Sequence, residues 1–270
     1  MYLHFMPYFN DPTLTESGDQ VCQRFGIFPP ETEAMPTLVE PSTFPDAPDT
    51  LGDLEKVDHP RIKTIESYLN AGWNNAQDGT WLRPEANALL YKVVDSLPEP
   101  WGLCVFDAWR PLDLQAELFY AAYKDPNLPE GFVSPADRET RLCPPHLSGG
   151  TVDCSFTLHG IPLGLGTGFD DFTDLAAADA LEVKESINRD LRRWLYWSMT
   201  ETGFVVLNCE WWHFEYGTRR WGAIRGKDPL FGPARIATDN PINDIKNMKM
   251  SSTIHLCIPT PHMPTNNEYP

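Results

Sequence analysis

Apolar positions recur through the middle of the chain with two distinct periods, and each period predicts an element. Residues 83–97 (RPEANALLYKVVDSL) place Ala86, Leu89, Leu90, Val93, Val94 and Leu97 at helical spacing, with Pro84 and Glu85 suited to the first turn. Residues 112–123 repeat that spacing, with Leu114, Leu118 and Ala121 or Ala122 on one face. A third helix is expected over 188–200, with Leu191, Trp194, Leu195 and Met199 inward and Gly203 as its stop signal. The other period is two. Over Thr151–Leu158, Thr151, Asp153, Ser155 and Thr157 share one face while Val152, Cys154, Phe156 and Leu158 share the other. That pattern predicts a half-buried strand with Asp153 on its polar face. The apolar run 103–106 predicts a buried strand, 204–207 begins another, and 212–216 its partner. Helices and strands do not strictly alternate, so the expected class is α+β, with a mostly antiparallel central sheet flanked by helices.

The periodic part has flanks of a different kind. Residues 1–57 are rich in Pro, Asp, Glu and Thr and predict an extended acidic arm; 233–270 are polar and proline-punctuated and predict a C-terminal tail. The packed unit, a single domain, is expected over 58–232. A formal net charge of -17 lacks the basic footprint that nucleic acid or an anionic membrane calls for, so neither is an expected partner. No apolar run reaches membrane-span length, and the first residues lack a basic stretch followed by an apolar one. Six cysteines without a CxxC pair read as reduced, packed thiols, which points to the cytoplasm.

Chemistry concentrates in two short stretches. HLSGGTVD carries His146 and Asp153, and EWWH carries Glu210 and His213. Two imidazoles and one carboxylate suit a catalytic zinc, which takes three protein ligands and leaves the fourth position for water. Such a zinc also needs a base that is not a ligand. His146 and Asp153 are seven apart, an odd separation that a regular strand would place on opposite faces. Gly149 and Gly150 permit a turn that folds His146 back. Residues three apart also oppose each other on a strand, so Glu210 is expected to end a turn, with His213 in the strand. His59, His159, His255 and His262 lack such companions and read as ordinary side chains. GLGTG at 164–168 has neither the ending of a phosphate loop nor the spacing of a dinucleotide site, and reads as a turn.

HLSGGTVD followed by EWWHFEYG resembles the VanX-type zinc D-alanyl-D-alanine dipeptidases, relatives of the zinc D,D-carboxypeptidases and of the hedgehog amino-terminal domain. WNN at 73–75, FDAWRP at 106–111, GTGFD at 166–170, NRDL at 188–191 and GF at 203–204 follow in the family's order. The resemblance spans roughly 68–221. It implies a hedgehog/D,D-peptidase-like fold and one zinc ion held by His146, Asp153 and His213. It implies Glu210 as the catalytic base and Arg110 as the cation that polarises the scissile carbonyl, a role suited to a permanently charged donor fork. It also implies Asp170 as the carboxylate that holds the free ammonium of a small dipeptide substrate.

Three positions depart from the family pattern. Pro144 stands where the family has a serine that lines the substrate pocket, Gly164 where it has an aspartate, and Asn70 where it has a tyrosine, with Tyr68 as a loose substitute. Alongside D-Ala-D-Ala hydrolysis, the sequence therefore leaves open a hydrolase retuned for another dipeptide or amide. A binding module with a structural zinc is a third reading, although it has no need of Glu210 or Arg110.

Overall fold

The computed structural model describes residues 11–124 and 133–237; most of the stretch expected to be a C-terminal tail, with His255 and His262, lies outside them. The centre of the fold is a seven-stranded sheet. Its strands are β1 (Glu16–Ser17), β2 (Ile62–Thr64), β3 (Trp101–Asp107), β4 (Thr151–Leu158), β5 (Ile161–Gly164), β6 (Val205–Leu207) and β7 (Glu210–Glu215). Among the described residues six α-helices accompany it: α1 (Gly18–Phe25), α2 (Ser67–Asn70), α3 (Pro84–Ser96), α4 (Leu112–Ala122), α5 (Ile187–Glu201) and α6 (Arg219–Arg225).

Strand β4 is the axis. Strand β3 runs antiparallel along one edge, while the other edge is shared by β7, against Thr151–Asp153, and β5, against Thr157 and Leu158. The alternation of β4 predicted one solvent-facing side, but all eight of its residues are buried. Being central, the strand has both faces covered, and its polar side becomes the floor of a cavity instead of a surface. Opposite that side, Phe156 stacks on Trp194 of α5 with ring centroids 4.4 Å apart. Leu191, Trp194, Leu195 and Met199 of α5 are all buried, as are Leu90, Val93 and Val94 of α3. Each such side chain contributes about 1.5–3 kcal/mol when fully removed from water.

The sheet is mixed, which corrects the expectation of a mostly antiparallel one. Strand β1 pairs with β5, and β2 with β3, in parallel. Both parallel partners are two or three residues long and come from the first 64 residues. Elements that short carry no hydrophobic period, so nothing in their sequence announces them.

The stretch 11–57, expected to be an extended arm, therefore holds structure of its own. Helix α1 buries Val21 and Cys22 completely and ends at Gly26, whose φ of 65° is the left-handed conformation that glycine adopts freely. Asp19 N–H donates to Asn188 Oδ1 at 3.2 Å, tying α1 to the start of α5. Farther on the chain is irregular but tethered: Trp197 Nε1 donates to Glu33 O at 3.0 Å and Arg219 Nε to Pro45 O at 2.8 Å.

Candidate active site

Strand register assembles the site. Across three neighbouring strands, Asp107 pairs with Asp153 and Asp153 with His213. Directly opposed residues project to the same side of a sheet, so one imidazole and two carboxylates meet. A register shift lies on each side of this row, between Val105 and Asp107 and between Glu210 and Phe214. The second shift corrects the placing of Glu210 at the end of a turn. Glu210 is the first residue of β7, and the irregularity breaks strict alternation, leaving its Oε2 3.5 Å from His213 Nδ1.

His146 arrives by the glycine turn. Residues His146–Ser148 form a single 3₁₀ turn closed by Gly149 at φ 72°, with Gly149 N–H donating to His146 O at 3.1 Å. Gly150 is required for space: a Cβ there would lie 2.2 Å from Tyr216 O, and Tyr216 N–H donates to Gly150 O at 2.8 Å. The result places His146 Nε2 3.4 Å from Asp153 Oδ2 and His213 Nδ1 3.1 Å from Asp153 Oδ1.

These residues fit a metal ion. One ligand atom from each of His146, Asp153 and His213 lies within 4.8 Å of the other two, and all three residues are buried. A tetrahedral ion with bonds of about 2.0–2.1 Å separates its ligands by about 3.3 Å. Each ring is also held for ligation. His146 Nδ1 donates to Ala108 O at 2.6 Å, which leaves Nε2 for the ion; His213 Nε2 bonds Glu215 Oε1 at 3.0 Å, which leaves Nδ1. Asp153 Oδ1 is buried and faces His213 Nδ1 at 3.1 Å without a well-formed hydrogen bond among the described residues, a pair of ligand atoms that a cation would satisfy together.

Glu215 is fully buried and compensated on three sides, by His213, Arg220 Nε at 2.8 Å and the Thr218 hydroxyl. Burial works against its charge, but these partners hold its carboxyl below the usual range. Burial pushes Glu210 up to about 7 against the pull of His213, so a base of near-neutral strength stands beside the ligands. Desolvation, reinforced by Arg110 and His213, keeps His146 well below the usual histidine range, whereas Asp153 and Glu215 hold His213 up to about 10 against burial, so a cation bound there would displace a proton from His213.

Arg110 is buried in a net of partners. Its Nε donates to Asp107 Oδ2 at 2.9 Å, Nη1 to Gln115 Oε1 at 2.9 Å and Nη2 to the Tyr68 hydroxyl at 3.3 Å. Nη2 also stands 3.9 Å from Asp153 Oδ2, so the guanidinium borders the ligand set. Tyr68 Oη in turn donates to Asp170 Oδ2 at 2.9 Å. Burial raises Tyr68 well above the usual tyrosine range, so it remains a neutral donor. Asp170 sits at φ 58°, left-handed backbone that few non-glycine residues adopt, and desolvation raises its carboxyl well above the usual range despite Arg110. A cavity of about 90 Å³ opens among Arg110, His146, Asp170, Glu210 and His213, with Leu118, Phe172 and Leu207 supplying apolar wall.

A family model described as D-ala-D-ala dipeptidase matches residues 85–223, just over half of the chain. The chain belongs to the D-Ala-D-Ala dipeptidase family. A D-alanyl-D-alanine dipeptidase of Escherichia coli (strain K12) is 32% identical over 114 residues, which are 42% of this chain and 54% of that relative. The chain thus spans about half the length of this curated dipeptidase. All six residues singled out from the sequence fall inside the family match, and the structure brings all six to one cavity.

Three residues that support this site had no role assigned from sequence. Asp107 and Glu215 support Arg110 and His213, and the spacing of His213 and Glu215, two apart on a strand, was the available signal. Tyr68 lies outside the family match and reaches Asp170 through the fold alone. The departures from the dipeptidase pattern also find places. Asn70 is exposed and donates to Ile65 O, while Tyr68 faces the cavity. At Gly164 a Cβ would lie 2.8 Å from Thr15 Oγ1 and 3.0 Å from Thr167 O, so an aspartate there would have to displace its neighbours.

Proposed function

We propose that this protein is a zinc-dependent dipeptidase that hydrolyses D-Ala-D-Ala or a closely related small dipeptide. The observation that carries the reading is the meeting of His146, Asp153 and His213 with a non-ligand carboxylate, Glu210, 3.5 Å from His213 Nδ1. His146 through Nε2, His213 through Nδ1 and Asp153 through its carboxylate would hold the zinc. When bound, zinc supplies a Lewis acid that lowers the pKa of water to about 7. Glu210 takes the proton of the attacking water and passes it to the leaving amine. A base near neutrality can do both. Arg110 holds the oxygen of the scissile carbonyl as negative charge develops there; its rigid net to Asp107, Gln115 and Tyr68 means little reorganisation is needed. Asp170, presented with Tyr68, binds the ammonium of the substrate, whose charge restores its ionised form.

The small cavity and the paired charges favour a short substrate with a free amino terminus. Pro144, in place of the family's pocket serine, supports a second reading, the same chemistry retuned toward another dipeptide or amide. Five free cysteines among the described residues suit a reducing compartment, in keeping with a cytoplasmic enzyme. The test is metal analysis of the purified chain together with a panel of D,D-, L,D- and L,L-dipeptides. Hydrolysis of D-Ala-D-Ala by zinc-loaded protein, abolished in Glu210→Gln with zinc retained, is the expected result. Zinc-loaded protein inactive on every D,D substrate but active on another member of the panel selects the second reading. Stoichiometric zinc with no hydrolysis at all leaves a binding module.

A further inference from the structure

Beside the catalytic cavity lies a second one, of about 240 Å³, that shares Ser134, Pro145, Glu215 and Arg220 with it. Neither Asp170 nor Tyr68 lines it; it adjoins the site where Glu215 and Arg220 line both cavities. Pro144 lies on its wall and offers neither an N–H nor a hydroxyl. The cationic donors there are Arg219 and Arg220.

The two arginines differ in a way that matters. Arg220 is neutralised, with Nε on Glu215 and Nη1 on Glu40. Arg219 is anchored without being neutralised. Its Nε donates to Pro45 O at 2.8 Å and its Nη2 to Phe44 O at 3.4 Å, both backbone carbonyls. Among the described residues no carboxylate pairs with Arg219, and neither Arg219 Nη1 nor Arg220 Nη2 has a hydrogen-bond acceptor. Two carboxylates also line this cavity, Glu215, which is spent on Arg220, and Asp137, but neither pairs with Arg219, whose charge therefore faces whatever enters.

We propose that this side cavity is a carboxylate-binding subsite in which Arg219, assisted by Arg220, receives the free α-carboxylate of the substrate's C-terminal residue. The proposal rests on the dipeptidase reading and names how that site measures its substrate. Asp170 takes the ammonium at one end, the arginine pair takes the carboxylate at the other, and the scissile bond lies between them over the ligand set. The subsite depends on the N-terminal stretch, because Phe44 and Pro45, which anchor Arg219, lie outside the matched residues 85–223. The Phe44 ring also lies beneath the guanidinium carbons of Arg219 and Arg220, at 5.9 and 5.4 Å from its centroid.

The experiment compares D-Ala-D-Ala with its C-terminal amide on the full, zinc-loaded chain, by kcat/KM and by calorimetric binding to the Glu210→Gln protein. Wild type is expected to prefer the free acid by roughly 10- to 100-fold, the range for a hydrogen bond to a charged group. Arg219→Met should bring the acid-to-amide ratio toward one, mainly through KM, and Arg219→Lys should restore part of it. Arg220→Met, which also disturbs Glu215, should lower kcat for both compounds besides reducing the ratio. Equal handling of acid and amide by wild type overturns the subsite, as does an Arg219→Met protein that loses both in proportion. If neither compound is cleaved, the hydrolase reading fails on its own, and the binding ratio in wild type and Arg219→Met still decides the subsite.

Discussion

The ligand residues and the residues that face the substrate are built in opposite ways. Asp153 and His213 sit on paired central strands, and His146 sits on a turn locked between Arg83 and Tyr216 by backbone hydrogen bonds to Gly149 and Gly150. Their second partners, Ala108 O and Glu215, are fixed by the same sheet. The substrate-facing residues come from separate places: Tyr68 from a four-residue helix, Asp170 from a left-handed turn, Arg219 from the start of α6 under the N-terminal stretch. Strands fix position to fractions of an ångström, whereas loops and short helices vary with little cost to the fold. The contrast separates chemistry, which the sheet preserves, from selectivity, which the periphery sets.

The sharpest test of the sheet-borne half is Glu210→Gln. The substitution keeps size and removes the base, and kcat should fall by roughly 10²- to 10⁴-fold. Zinc content, measured on the same protein, should not change, because Glu210 is not among the three ligand residues. Loss of zinc along with activity would place Glu210 in the ligand set and redraw the division.

Next in size is Glu215→Gln. This carboxylate orients His213 from a fully buried position and touches no substrate in the proposed scheme. Such partners of metal ligands alter affinity by roughly 10- to 100-fold. Competition against a chromophoric chelator should show zinc held that much more weakly, with kcat of the zinc-saturated protein much less affected. Unchanged affinity would mean that the strand alone orients the ring.

The same division governs what could be read from the amino-acid sequence. The eight-residue alternation of β4 and the helical periods of α3, α4 and α5 are long enough to stand out, and their ends fall within a residue or two of expectation. The cage was legible because its residues fall in two short stretches whose odd spacings ruled out regular strands; the glycine turn expected for His146 is there, while for Glu210 a strand irregularity does what a turn was expected to do. Strands β1 and β2 were not legible, since two or three residues cannot show a period, and the parallel pairings went with them. Tyr68 meets Asp170 across 102 positions and Arg219 meets Pro45 across 174, so no local pattern encodes either contact. Gly164 looked like a lost side chain. It is a position where Thr15 Oγ1 and the Thr167 carbonyl crowd any Cβ.

On the peripheral side, Asp170→Asn removes the charge proposed for the ammonium and keeps the shape. KM for a dipeptide with a free amino terminus should rise about tenfold, as expected for the loss of a charge-assisted bond. An N-acetylated dipeptide supplies the control: its weak turnover should hardly respond. A parallel loss for both compounds would assign Asp170 to holding Tyr68 and Arg110 in place instead of to the amine.

The smallest expected effect is that of Tyr68→Phe, and it probes the seam between the two halves. The hydroxyl accepts from Arg110 Nη2 at 3.3 Å and donates to Asp170 Oδ2 at 2.9 Å, joining the residue proposed for the carbonyl to the one proposed for the amine. The ring keeps its packing on Phe169, at a centroid distance of 6.0 Å, so the substitution removes only the bridge. Both bonds act on the substrate only through Arg110 and Asp170, so the expected cost is about 1 kcal/mol, the net worth of a single hydrogen bond, or roughly fivefold in kcat/KM. How that factor divides is the informative part. A rise in KM alone says that Tyr68 serves Asp170 and belongs to selectivity; a fall in kcat alone says that it steadies Arg110 and belongs with the sheet. A drop in both, to the same total, is the outcome expected of a true bridge. In that case the periphery is not independent of the chemistry, and changes at the rim reach the carbonyl through this one hydroxyl.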